Sequence, residues 1–161
     1  MDNAKEQSSS GGSARVDGVG PLLGGRGVLH HLGFVVGSIS AVAEEFALAM
    51  SAYWDGQVIH DPLQRVRVAF FSPADARNPV FELVEPAGEA SPVRNFLLKG
   101  GGLHHVCYEV DNLESALREA RDVGLAVAAP PTPAVAFGGR RIAWVCSKSR
   151  LLMELLDRHR K

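Results

Sequence analysis

The second half of this chain repeats the first, and no other feature limits its possible folds so strongly. Leu29-His30-His31 recurs 74 residues later as Leu103-His104-His105. Arg67-Val68-Ala69-Phe70 recurs at the same offset as Arg141-Ile142-Ala143-Trp144. Val80-Phe81-Glu82-Leu83-Val84 is matched by Leu152-Met153-Glu154-Leu155-Leu156 at an offset of 72, so the second copy has a loop two residues shorter before its last strand. Such a repeat marks one supersecondary unit used twice, each copy unable to bury its apolar face alone.

Each copy reads as a β-α-β-β-β module. Leu29 to Val36 is β-rich and ends at Gly37-Ser38, with Ser38 or Ser40 available to cap a helix over Ala41 to Tyr53. A strand interrupted by Asp55-Gly56 follows over Trp54 to Ile59, then strands over Val66 to Phe71 and Val80 to Val84. Ser91 to Leu98 predicts a short helix with Pro92 in its first turn. In the second copy Leu103 to Val110 is a strand, Asp111 or Asn112 caps a helix over Leu113 to Val123, and Leu125 to Ala128 is a strand. A Pro-rich stretch then leads to strands over Arg141 to Cys146 and Leu151 to Leu156. The fold class expected is α+β: two tandem βαβββ modules forming a cupped mixed β-sheet with helices outside. Residues 1–27, rich in Ser, Gly and Asp, predict a flexible tail. Residues 28–157 form a single domain, with repeat one over 28–86, a linker over 87–102 and repeat two over 103–157.

Composition narrows the function classes. The 161 residues suit one domain, and a net charge of -1 with His neutral leaves no basic field for nucleic acid. No apolar run approaches the roughly 20 residues of a membrane span, and the first residues lack a signal-peptide pattern. A cytoplasmic protein is expected. Cys107 and Cys146 have no CxxC partner and read as buried free thiols, while His60 and His159 read as surface.

Four polar residues stand at matched places in apolar strands: a histidine of each doublet, Glu82 and Glu154. Burying a lone carboxylate there is costly. Strand alternation sends each Glu to the face opposite its apolar neighbours, so if Phe81, Leu83, Met153 and Leu155 pack under the helices, both Glu face the cup. Two imidazoles and two carboxylates suit one divalent ion such as Co, Ni, Zn, Mn or Fe. Spacing leaves open which histidine of each doublet serves.

The strands LHHLGFVV, VFELVEP, GGGLHHVCYEV and LLMELLD resemble the vicinal-oxygen-chelate superfamily, with its glyoxalase-like fold, and within it the methylmalonyl-CoA epimerases. The stretch from Glu82 to Asn112 carries the most specific likeness. The resemblance implies His31, Glu82, His105 and Glu154 as metal ligands, Glu154 and Glu82 as catalytic residues, an acyl-CoA thioester as substrate and a homodimer. It implies a metal-stabilised enolate, with Glu154 moving one proton and Glu82 available for the other. Two departures stand out. Val68 occupies the place of a third-strand Glu that shuttles a proton in some epimerases, and Cys146 to Arg150 replaces a His-Pro-Lys turn. Arg94, Lys99, Arg140 and Arg141 are candidates for CoA phosphate contacts. The alternatives are a glyoxalase I-like lactoylglutathione lyase and a non-catalytic protein that binds an antibiotic or other small molecule. A ring-cleaving dioxygenase wants only one carboxylate ligand and fits less well.

Overall fold

Alternation of buried and exposed residues, read against the repeat, builds one sheet of nine strands among the described residues. The computed structural model describes residues 26–158 and Leu23; the rest of the expected tail, and His159, lie outside the described residues. The first module comprises β1 (Val28–Val35), α1 (Ile39–Ala49), β2 (Ala52–Trp54), β3 (Ile59–Asp61), β4 (Val66–Pro73) and β5 (Val80–Pro86). A short helix α2 (Arg94–Leu97) lies in the linker. The second module comprises β6 (Gly102–Val110), α3 (Leu113–Asp122), β7 (Ala126–Pro133), β8 (Arg141–Cys146) and β9 (Leu152–Asp157).

The strand order is β2-β4-β5-β1-β6-β9-β8-β7, with β3 also paired to β4. The two modules join through antiparallel β1 and β6, while β5 and β9 run parallel to them on either side. The repeat survives in the register. Ala69 pairs with Leu83 as Ala143 pairs with Leu155.

Core packing follows the same division. Phe81 and Leu83 pack with Ile39 and Ala43 of α1, and Met153 and Leu155 pack with Leu113, Ala116, Leu117 and Ala120 of α3. The Glu side chains between them are thereby turned to the opposite face. No described helix is long and apolar enough to cross a membrane.

Five local expectations differ from the structure. The strand expected over Trp54 to Ile59 is two, β2 and β3, separated by residues 55–58 and each paired with β4. Helix α1 stops at Ala49 because Ser51 takes a left-handed φ of 49°, so Tyr53 lies in β2. The serines do not cap α1. Their hydroxyls bond each other at 3.1 Å, and Glu85 Oε2 accepts from Ile39 N at 2.8 Å instead. The Pro-rich stretch continues β7 through Pro133, which an edge strand tolerates because it needs no donor on its outer side. Leu23, placed in the tail by its neighbours, is buried against Val110 and α3. Asn112 caps α3 as expected, accepting from Ser115 N at 2.8 Å.

Candidate functional site

The curled sheet encloses a cavity of about 340 Å³ reached by strands of both modules. Its walls are mainly apolar and include Val66, Val68 and Val84 from one module and Ile142 and Trp144 from the other. Glu82, His105 and Glu154 also line it, and the fully buried His31 lies against them.

The structure brings together all four residues expected from the sequence. His31, His105, Glu82 and Glu154 are each at most 5% exposed. His31 Nε2 lies 3.1 Å from His105 Nε2, 3.3 Å from Glu82 Oε2 and 3.2 Å from Glu154 Oε2. His105 Nε2 lies 3.4 Å from Glu82 Oε2 and 3.8 Å from Glu154 Oε2. Donors at zinc-like bond lengths around one tetrahedral centre sit about 3.4 Å apart. The ligand atoms of His31, His105 and Glu154 all lie within 4.8 Å of one another, with Glu82 Oε2 beside both imidazoles, a set that suits a divalent ion. The carboxylates are alike in their partners, for Glu82 Oε2 and Glu154 Oε2 each face both imidazoles, and Glu154 Oε2 is buried there without a well-formed hydrogen bond. A buried acceptor without a partner is rare enough to need a reason.

The electrostatics are those of a tightly coupled buried group. Burial alone would favour neutral His31, but Glu82 and Glu154 outweigh it and raise its pKa to about 10. Burial opposes charge on Glu82 as well, yet His31 and His105 hold its carboxyl below the usual range. Burial pushes the Cys107 thiol up, and the neighbouring Glu154 adds to this.

Backbone and packing place the imidazoles. A Cβ built on Gly33 would lie 2.0 Å from Cε1 of His105, so only glycine leaves room for that ring. Phe137, in the turn between β7 and β8, stacks on His31 with centroids 5.8 Å apart. Asp61 fixes that turn. Its buried carboxylate accepts from Val135 N at 2.7 Å and from Leu63 N and Gln64 N at 3.0 Å each. Neither Phe137 nor Asp61 stood out in the sequence, because neither repeats.

Other sequence expectations divide. Cys107 is fully buried, but Cys146 is only half-buried. His60 is exposed, as expected, although it lies in β3 rather than a loop. Arg94, Arg140 and Arg141 are paired with Glu89, Glu109 and Glu114, and none of these arginines nor Lys99 lines the cavity. Arg65 does, at the β3–β4 turn, and among the described residues it is the cavity's one Lys or Arg.

The geometry can be compared with known proteins. The model of the Glyoxalase/Bleomycin resistance protein/Dioxygenase superfamily matches residues 30–144. The ethylmalonyl-CoA/methylmalonyl-CoA epimerase of Cereibacter sphaeroides is 30% identical over 124 residues, covering 76% of this chain and 90% of the relative. A solved hypothetical protein of Bacillus halodurans C-125 superposes with a TM-score of 0.72 at 27% identity, covering 84% of this chain and 96% of the other. Streptomyces coelicolor methylmalonyl-CoA epimerase, an S115T variant in complex with 2-nitronate-propionyl-CoA, superposes with a TM-score of 0.68 at 24% identity, covering 81% and 93%.

Proposed function

Because this chain belongs to the Glyoxalase/Bleomycin resistance protein/Dioxygenase superfamily, we propose that it is a metal-dependent epimerase of an acyl-CoA thioester, methylmalonyl-CoA foremost. Its homologues are methylmalonyl-CoA epimerases. The observation that carries the reading is the buried quartet beside an apolar cavity, its imidazole and carboxylate atoms 3.1 to 3.8 Å apart. His31, Glu82, His105 and Glu154 would hold the ion. When bound, a divalent ion supplies Lewis acidity toward the negative charge that develops as the α-proton leaves.

The chain's own residues do the rest. Inverting a carbon requires removing a proton from one face and returning one to the other. Glu82 stands on β5 and Glu154 on β9, strands that flank the central β1–β6 pair from opposite sides. Of the three carboxylates lining the cavity among the described residues, Asp61 is taken up by backbone N–H groups. Glu154 takes the proton, and Glu82 is the carboxylate left for the other face. The apolar walls keep water from the carbanion. Arg65 at the rim supports a place for an anionic part of the acyl-CoA, and Val68, apolar like its repeat mate Ile142, contributes shape rather than acid.

Proton exchange in heavy water, followed by NMR on methylmalonyl-CoA with metal-loaded and chelator-treated protein, tests the reading. The α-proton should exchange faster than the unaided rate only with metal. Metal-loaded protein without that excess would set this substrate aside.

A further inference from the structure

We propose that His30 and His104 are positioning residues that fix the ring tautomers of His31 and His105, an inference that rests on the metal-site reading above. In a regular strand, successive side chains point to opposite faces, so a histidine doublet cannot share a site. The pairing of β1 with β6 is not regular. Leu29 pairs with Tyr108 and His31 with Cys107, which skips His30; His105 pairs with Gly33 and Leu103 with Phe34, which skips His104. Each skipped histidine is the extra residue of a β-bulge, a device that re-aims a side chain.

The consequence is the same in both modules. His30 Nδ1 lies 2.9 Å from His31 Nδ1, and His104 Nδ1 lies 3.1 Å from His105 Nδ1. The outer rings are held by different neighbours, His104 edge-on to Phe96 at 4.7 Å and His30 edge-on to Phe137 at 5.7 Å. A shared contact kept by unlike packing points to the contact itself as the common purpose.

The hydrogen bond has only one workable direction. His31 and His105 turn Nε2 toward the quartet. A neutral imidazole that gives the Nε2 lone pair to a cation carries its proton on Nδ1. That Nδ1–H donates to the neighbour's Nδ1, so His30 and His104 accept there and carry their own protons on Nε2. They stand where a carboxylate or carbonyl commonly orients a metal-bound histidine. A neutral acceptor sets the ring without adding a third anion to a centre that already holds two carboxylates.

The full chain, stripped and then titrated with Zn²⁺ by calorimetry, tests this. His30→Ala and His104→Ala should each weaken binding about 10- to 100-fold. His104→Asn, whose Oδ1 accepts from nearly the same position, should recover part of the loss. Long-range ¹H–¹⁵N NMR on the unaltered Zn²⁺ form reads the tautomers without any substitution, and His30 and His104 should be protonated on Nε2. Protonation of either on Nδ1, unchanged affinity in the alanine variants, or no recovery by asparagine would overturn the inference alone. An unaltered chain that binds no ion would overturn it together with the metal site.

Discussion

The two modules place the same ligand types at the same strand positions, yet their surroundings differ. Across the central strand pair, His105 faces Gly33 while His31 faces Cys107. One imidazole therefore fills the space a Cβ would take, and the other meets a buried thiol. Glu82 is held below the usual carboxylate range by imidazoles at 3.3 and 3.4 Å, while Glu154 Oε2 lies 3.2 and 3.8 Å from the same two rings. Helix α3 is capped by its own Asn112, and α1 by Glu85 from a neighbouring strand. The repeat gives a symmetric donor set, and the asymmetric contacts around it are what the proposed division of duties rests on.

The strongest way to break this comparison is to exchange the residues at its centre. Gly33→Ala should displace the His105 ring rather than unfold the sheet, because the clash is with a movable side chain. Metal affinity should fall at least about 100-fold, while thermal stability falls by only about 1–3 kcal/mol, as for overpacking. Cys107→Ala, at the matching place, should leave metal affinity within about threefold. Equal losses in a metal titration would mean that the two positions are equivalent after all.

A second effect is set by pH. The raised His31 pKa contributes stability to the metal-free protein that is full below about 6.5 and lost as pH rises through about 10. The lowered Glu82 pKa contributes stability present above about 4.5 and lost in stronger acid. Melting temperature of the chelator-treated protein should therefore decline from pH 6.5 toward 10, and metal affinity should rise over the same window as the imidazole proton becomes easier to displace. A flat melting profile would remove the charged-pair description of the empty quartet.

The smallest contrast lies in the helix caps. Asn112→Ala should cost about 1 kcal/mol in denaturant unfolding, and Ser38→Ala no more than a few tenths. A comparable loss from Ser38→Ala would show that Glu85 does not carry the α1 terminus.

What could be read from the sequence was whatever repeats. The matched offsets of the histidine doublets, and the apolar residues flanking Glu82 and Glu154, were enough for the modules, the sheet and the two carboxylates, while the choice of His31 and His105 within their doublets came from the family resemblance alone. Single-copy features escaped. Phe137 acts through a turn that only the fold carries to His31, and Asp61 looks like an ordinary loop residue until it meets Val135 N. The bulges at His30 and His104 escaped for a different reason. They arise from pairing between modules, and strand alternation within one module predicts the opposite orientation.

The most direct test of unequal duties compares Glu82→Gln with Glu154→Gln, reading metal content and α-proton exchange of methylmalonyl-CoA on the same samples. Glu154→Gln should keep most of its metal and lose exchange by about 10²-fold or more, while Glu82→Gln should keep the larger share of that exchange once metal-loaded. Normal exchange in a folded, metal-loaded Glu154→Gln protein would contradict the assignment of the proton to Glu154 and the division of roles built on it.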